Sequence, residues 1–248
     1  MFFSVMMNPN LSVLQEFPGE RILQDKPRLV IAVETVAEVQ QLLRLAGKHS
    51  FRVLVLGSGS SFQPDLPIPK DTVALMMSQL ETPYEWDEEN LTVTVGAGIK
   101  TITLCESLKS QGWEYRFIND IPRTTIGGIL ASAPNLNQAS SLRTLLSFLL
   151  GIKVVHADSE LVKWGGKMVK NVAGLDVGSL YLGSHGTLAV IVECTFRLVP
   201  FPSPLYDTTP RGRIPQSEDL PPGNPTHEYL QQLYKHFDPQ TIFYQPIS

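Results

Sequence analysis

The chain has few of the residues that build metal centres or disulfide frameworks. Its 248 residues include two cysteines, Cys105 and Cys194, which form no CxxC motif. Two separated cysteines cannot by themselves hold an iron–sulfur cluster or a cysteine-type zinc site. The five histidines are scattered without HxH or HxxE spacing, so the sequence predicts no metal site. We interpret both cysteines as small apolar residues in a reducing compartment and expect a cytoplasmic protein.

A large excess of charge and a long apolar run are also missing. The formal net charge is -4 and the isoelectric point is about 5.7, which gives no electrostatic reason to expect nucleic acid or an anionic membrane as partner. No apolar run approaches the ~20 residues that span a bilayer. The apolar N-terminus lacks a basic region and is interrupted at Asn8-Pro9, so it predicts no signal peptide.

The first clear pattern is strand, helix, strand. Residues 29–33 (LVIAV) and 52–56 (RVLVL) are short apolar runs typical of buried strands. Between them, Thr35 and Glu38 have the spacing of a capping box, and an apolar stripe follows at helical spacing. A unit of this length favours two parallel strands joined by a crossover helix.

A Gly/Ser loop, GSGSS at 57–61, follows the second of these strands. Small residues at the carboxyl end of a parallel strand let backbone N–H groups point at phosphate oxygens. An ordinary tight turn is the alternative, and the spacing matches neither a Walker loop nor GxGxxG.

Later segments indicate a second, partly antiparallel sheet. Residues 91–95 and 188–199 alternate with period two, and 151–166 reads as a hairpin that turns at Asp158-Ser159. Helices are predicted at 101–112 and 226–237. Residues 123–133 (RTTIGGILASA) are small enough to approach a ligand or a neighbouring element closely. From Pro200 to Pro225 the chain holds eight of its 19 prolines, which predicts an extended linker.

Four segments, in order, resemble the FAD-binding domain of the vanillyl-alcohol oxidase and para-cresol methylhydroxylase (PCMH) type flavoproteins. They are VLGSGSSF, PRTTIGGILAS, the long run KNVAGLDVGSLYLGSHGTLAVIVECTFRLVP at 170–200, and FDPQTIF. Within this family the resemblance is closest to the FAD-binding subunit of bacterial glycolate oxidase. It implies an α+β fold with a small, parallel-containing sheet at about 20–80 and a larger, mainly antiparallel sheet with helices at 81–200. Segments 1–19 and 226–248 would then be an extension and a C-terminal helix with its tail.

The resemblance also implies a set of residues that wrap the pyrophosphate, the ribitol, the adenine and the isoalloxazine ring of FAD. Glycines there would let backbone come close to an extended ligand. The set is Gly57, Ser58, Gly59, Ser60, Ser61, Phe62, Pro122, Thr124, Thr125, Gly127, Gly128, Lys170, Asn171, Gly174, Gly183, Ser184, Gly186, Thr187, Val190 and Ile191. His185 is either a residue near the phosphates or a tolerated loop residue.

Three departures from the family pattern qualify these expectations. The pyrophosphate loop has no histidine or cysteine, so FAD is expected to bind non-covalently. Ala189 and Ser159 stand where glycine is usual, and segment 134–148 lacks the arginine- and glycine-rich loop of relatives. The substrate-covering cap domain is expected to be absent, and the sequence predicts no catalytic residue.

Two functions remain open at this point. The first is a redox subunit of a glycolate-type 2-hydroxy-acid oxidase or dehydrogenase complex, inactive alone, with a second flavin subunit and an iron–sulfur subunit as the partners that the resemblance implies. The second is a non-catalytic scaffold that keeps the fold but has lost FAD or uses it only structurally. A stand-alone reductase similar to the cell-wall precursor enzyme is disfavoured, because its substrate domain is not found here.

Overall fold

Two β-sheets organise the chain, and each has its own hydrophobic core. The computed structural model describes residues 22–25, 28–60, 68–114, 124–132, 148–166, 178–200 and 227–244. The predicted N-terminal extension, the Pro-rich linker and nearly all of segment 134–148 lie outside these ranges. Within them, every helix is too short or too polar to cross a bilayer. The mixed α+β architecture with one parallel-containing and one antiparallel sheet confirms the predicted fold class.

The first sheet has four strands in the order β1-β2-β4-β3. They are β1 (Ile22–Asp25), β2 (Arg28–Ala32), β3 (Arg52–Leu56) and β4 (Thr72–Met76). β2 and β3 run parallel, as predicted, but each pairs with β4. The strand β4, which the sequence did not indicate, lies between them.

Helix α1 (Val36–His49) crosses between β2 and β3, and its start has the predicted capping box. The Glu38 amide donates to Thr35 Oγ1 at 3.3 Å, and the Thr35 amide donates to the Glu38 carboxylate at 3.1 Å. The buried face of α1 carries Val39, Leu42, Leu43, Leu45 and Ala46. The helix therefore begins where its first free amides find partners and packs its apolar stripe onto the sheet.

Replacing Thr35 with alanine is expected to lower the free energy of unfolding by about 1 kcal/mol, because the Glu38 amide loses its acceptor. Thr35→Ser keeps the hydroxyl and is the matched control, with a denaturation midpoint close to that of the parent chain. Urea denaturation followed by circular dichroism measures both. An alanine variant as stable as the serine variant would contradict the assigned role of the cap.

The second sheet has five antiparallel strands in the order β5-β6-β10-β8-β9. They are β5 (Tyr84–Asp87), β6 (Thr92–Gly96), β8 (Leu149–Val155), β9 (Leu161–Gly165) and β10 (Val190–Arg197). A short ribbon joins β7 (Trp113–Glu114) to β11 (Val199–Pro200). The predicted hairpin is confirmed in β8 and β9, and Ser159 in its turn has φ 67°. A serine there adopts the left-handed backbone for which glycine is usual.

Strand β10 contributes side chains to both cores. The sequence predicted that Val190, Val192, Cys194, Phe196 and Leu198 share one face. Instead, Val190 and Val192 pack in the first core, while Cys194 and Phe196 pack in the second. The pairing of β10 with β8 shifts register between Ile191 and Glu193, and an extra residue in one strand reverses which side later residues face.

Four further helices complete the described part. They are α2 (Thr101–Ser110), α3 (Ile126–Ser132), α4 (Gly178–Tyr181) and α5 (His227–Phe237). α2 and α5 were predicted, and Gly112 follows α2 with φ 79°. α3 was not predicted as a helix, because its run of small residues carries little helical signal. Leu104, Leu108, Ile126, Ile129 and Leu130 bury α2 and α3 against the second sheet.

Candidate cofactor-binding site

A cavity of about 390 Å³ lies where the carboxyl end of β3 meets α3 and the turn before β10. Its wall consists of residues 54–60 and Met77 from the first sheet, Ala97, several residues of 124–132 and of 185–191, and Tyr244. In open sheets, the carboxyl ends of parallel strands are the usual place for ligands. The cavity is also within the ~300–1,000 Å³ typical of small-molecule sites.

Ten of the predicted site residues line this cavity. Their positions in the chain fall into three separate segments, which the fold brings to one place. They are Gly57, Ser58, Gly59, Ser60, Thr124, Thr125, Gly127, Gly128, Gly186 and Ile191. Of the rest, Ser61, Phe62, Pro122, Lys170, Asn171 and Gly174 lie outside the described residues.

Four predicted residues within the described ranges do not line the cavity. The Gly183 amide donates to the carbonyl of Leu130 at 3.0 Å, and the Ser184 hydroxyl donates to that of Tyr181 at 2.8 Å. Thr187 is buried beside them, and Val190 is part of the first core. The first three shape the turn that presents His185 and Gly186 to the cavity.

Ten further lining residues were not among the predicted contacts. The lining residues from β3 could have been predicted, because ligands usually bind at the carboxyl ends of parallel strands. Nothing in the local sequence indicates that Tyr244 lines the cavity. They are Leu54, Val55, Leu56, Met77, Ala97, Ala131, Ser132, His185, Ala189 and Tyr244. Ala189 belongs to the second core, is buried, and is also one of the lining residues.

Packing between the two sides of the cavity wall leaves no room for a side chain at two of the glycines. A Cβ on Gly57 would overlap the hydroxyl of Thr125, and a Cβ on Gly127 would lie 2.8 Å from that of Ala97. The hydroxyl of Thr125 in turn accepts the Gly128 amide at 3.1 Å. Close packing and a place in the cavity lining are therefore compatible, because the same glycines pack against protein and also line the cavity.

Two other lining glycines have a positive φ. Gly59 has φ 74° and open space where a side chain would begin, whereas a Cβ on Gly186, also at φ 74°, would lie 2.9 Å from Val55 Cβ. His185 precedes Gly186 with φ 52°, is exposed, and donates its amide to the carbonyl of Ala131 at 2.8 Å. The loop over the cavity is thus fixed by backbone geometry and a bond to α3.

The cavity lining is formed by uncharged groups and one histidine. Among the described residues around the cavity there is no aspartate, glutamate, lysine or arginine. Serine and threonine hydroxyls, backbone groups, one imidazole and one phenol supply the polarity, and aliphatic side chains supply most of the remaining wall. Such a wall suits an extended ligand that has flat rings and phosphates, and it lacks the paired acid and base of a hydrolytic centre.

Comparison with known proteins decides which ligand this is. A protein-family profile described as "FAD binding domain" matches residues 27–165, more than half of the chain. The chain belongs to the FAD-binding domain family. This confirms the family resemblance, and FAD is the cofactor.

Individual relatives agree with this assignment. Glycolate oxidase subunit GlcD of Bacillus subtilis is 32% identical over 186 residues, which cover 72% of this chain and 38% of the relative. A D-lactate dehydrogenase of Archaeoglobus fulgidus is 28% identical over 172 residues, covering 69% and 39%. The chain spans about two fifths of the length of these relatives.

Solved structures with the same fold include alkyldihydroxyacetonephosphate synthase. The superposition has a TM-score of 0.66 at 20% identity and covers 77% of this chain and 40% of that one. At this identity the likeness shows the fold alone.

The described residues fit FAD. The open space at Gly59 and the hydroxyls of Ser58 and Ser60 are suited to phosphates, because small residues leave amides and hydroxyls accessible to oxygen. The aliphatic side chains of Leu54, Val55 and Ile191 are suited to flat rings. A flavin would thus lie against the end of β3, with α3 and the 185–191 turn on its other sides.

A buried carboxylate holds the C-terminal segment in place beside this cavity. Asp238 is 1% exposed and accepts the amides of Ile242 at 2.8 Å and Phe243 at 2.7 Å. Burial raises the pKa of the Asp238 carboxyl, and the two amides oppose this effect. Val53 of β3 donates to the carbonyl of Ile242 at 2.7 Å and accepts the amide of Tyr244 at 2.9 Å. Residues 242–244 thereby extend the edge of the first sheet.

A second cluster of titratable groups lies elsewhere, beside a cavity of about 240 Å³. His156 Nε2 and the Tyr181 hydroxyl are 2.7 Å apart, and the ring of Phe237 lies 5.7 Å from that of His156. Burial lowers the pKa of His156, while Asp158 and Glu160 oppose the shift. None of these residues lines the first cavity. We interpret the cluster as the packing of α5 on the β8–β9 hairpin.

The cysteines and histidines form no metal centre in the described ranges, where no group of three or more His, Cys, Asp or Glu side chains is placed to hold an ion. Cys194 is fully buried in the second core, and burial raises the pKa of its thiol. A thiol in that state is a poor nucleophile.

Proposed function

We propose that the chain binds FAD non-covalently in the first cavity and is the flavin-binding module of a glycolate-type 2-hydroxy-acid oxidoreductase. The observation that carries the proposal is the convergence of three separate segments, 57–60, 124–128 and 186–191, on one cavity. Similarity to a glycolate oxidase subunit and to D-lactate dehydrogenases supports the substrate class. A domain that runs from about 20 to 200, in two subdomains that meet near residue 80, is part of this proposal.

FAD supplies the redox chemistry when it is bound, and this chain binds and orients it. The β3 end and the loop at 57–60 hold the extended molecule, and α3 packs against that loop through Thr125. The absence of histidine and cysteine from the sequence of the 57–62 loop supports non-covalent binding. The aliphatic wall excludes water from the rings, which strengthens the polar contacts made around them.

We further propose that a glycolate-type substrate is held by groups beyond this cavity wall. A 2-hydroxy acid is an anion, and the described lining offers it no lysine or arginine. The proposed partners are a second flavin subunit and an iron–sulfur subunit, and the word "subunit" in the name of the Bacillus subtilis relative supports an assembly. On this account the flavin of this chain exchanges electrons inside a complex.

The isolated chain, saturated with FAD, is expected to turn over neither glycolate nor D-lactate. Dye-linked reduction by the chain with each acid measures this, and chemical reduction of the bound flavin is the positive control. Clear turnover by the isolated chain would contradict the subunit role, although FAD binding would stand.

The scaffold alternative is favoured by one observation, the presence of buried Ala189 in the cavity lining, where the family resemblance predicts glycine. It predicts a chain that folds without FAD and takes up none. Ala189→Gly separates the two functions. If the methyl is what excludes FAD, the glycine variant gains FAD binding that the parent lacks. If the parent already binds FAD, the version of the scaffold alternative in which the cofactor has been lost is wrong.

A further inference from the structure

Tyr244 reaches the first cavity from a part of the chain remote from every predicted contact. It lies seven residues after the end of α5, counting from Phe237, and its side chain is 8% exposed. It is the one residue of the C-terminal segment in the cavity wall among those described. Its place there is fixed by hydrogen bonds of its own amide and of the two residues before it.

Two sets of bonds hold the segment. The Asp238 carboxylate accepts two consecutive amides, those of Ile242 and Phe243, and folds the chain back on itself. Val53 and Phe243 then form a parallel bridge, made by the bonds of Val53 to the Ile242 carbonyl and the Tyr244 amide. Ile242 and Phe243 are both buried in the first core, and Tyr244, the next residue, lines the cavity.

We infer that Tyr244 is a cofactor-contact residue and that Asp238 is the positioning residue that places it. The inference depends on the proposed FAD site. Among the aliphatic side chains, hydroxyls and single imidazole of this wall, the tyrosine ring is the group that can stack on a flat ring of the ligand. FAD has two such rings, the isoalloxazine and the adenine, and the shared chemistry is aromatic stacking. Because the Asp238 contacts are all to backbone, the carboxylate acts on FAD only through the segment that it folds.

Tyr244→Leu is expected to weaken FAD binding about tenfold, the scale of a lost aromatic pair. Tyr244→Phe keeps the ring and is expected to bind within about threefold of the parent, since only the hydroxyl is removed. Tyr234→Leu is the matched control, because Tyr234 packs against the second core and does not line the cavity. The dissociation constant is measured by quenching of flavin fluorescence, and circular dichroism confirms that each variant is folded.

Titration with ADP and with riboflavin distinguishes the two rings. A loss of affinity for riboflavin alone places Tyr244 against the isoalloxazine, and a loss for ADP alone places it against the adenine. The visible bands of bound FAD should also shift in Tyr244→Leu, and not in Tyr244→Phe, if the isoalloxazine is the partner. A Tyr244→Leu variant that binds FAD, ADP and riboflavin as the parent does would overturn the inference.

Asp238→Ala tests the positioning role through a double-mutant cycle. If Asp238 acts through Tyr244, the double variant binds FAD no more weakly than Asp238→Ala alone, because the ring is already displaced. Additive losses would overturn the positioning role. Should Asp238→Ala fail to fold, Asp238→Asn, which keeps one acceptor oxygen, takes its place in the cycle. A parent chain that binds no FAD would instead refute the proposed function itself, so the two failures are distinct.

Discussion

Ser132→Trp is expected to weaken FAD binding by about 100-fold or more. Ser132 is the last residue of α3, and its half-buried side chain lines the first cavity. An indole there takes up space that the cofactor needs. Steric overlap costs about 1–3 kcal/mol where neighbours can shift and more where they cannot, and about 2.8 kcal/mol is a factor of 100. The dissociation constant for FAD, from fluorescence quenching, measures the effect.

Ser110→Trp is the matched control. Ser110 is also the last residue of its helix, and its hydroxyl also donates to the carbonyl three residues earlier, as that of Ser132 does. Ser110 is exposed and away from the cavity, so its tryptophan variant should bind FAD as the parent does. Equal affinity in the two variants would place FAD somewhere other than this cavity.

Gly186→Ala is expected to lower the free energy of unfolding by about 2–5 kcal/mol. A left-handed backbone costs a residue with a Cβ about 1–2 kcal/mol, and overpacking a buried site costs about 1–3 kcal/mol. Both apply here, because Gly186 has φ 74° and its new methyl would lie 2.9 Å from Val55 Cβ. A Cβ cannot rotate away as the end of a long side chain can. Urea denaturation of the FAD-free chain measures the loss.

Gly59→Ala separates the two contributions. Gly59 has the same φ of 74° but no heavy atom within 4 Å of the added methyl. Only the cost of the left-handed backbone should remain, so the free energy of unfolding is expected to fall by about 1–2 kcal/mol. If the two alanine variants lose equal stability, the close contact between Gly186 and Val55 does not have the assigned importance.

The parts of the fold that follow from local sequence were predicted well. The capping box of Thr35 and Glu38 and the hairpin around Ser159 depend on residues close in the chain, so their pattern is visible without the tertiary structure. The loop at 57–60 was identifiable as a candidate, with an ordinary tight turn as the alternative, because small residues after a parallel strand let amides point at phosphates. In the structure this loop lines one side of the cavity.

Features that depend on distant pairing were not predicted. β4 is a short apolar run whose central place in the sheet is set by its neighbours, and periodicity cannot identify it. The bulge in β10 is invisible to a period-two pattern, so Val190 and Val192 were assigned to the wrong face. Tyr244 has no motif of its own, and its place in the cavity arises only when Asp238 folds its segment against Val53.

The visible absorbance of the purified chain, mixed with FAD and freed of excess, tests the central claim most directly. We expect flavin bands that stay with the folded protein at about one FAD per chain and leave with the supernatant after acid precipitation. The Ser132→Trp chain carried through the same steps should be colourless. A parent chain that retains no flavin would contradict the account, and flavin that stays with the acid pellet would contradict non-covalent binding.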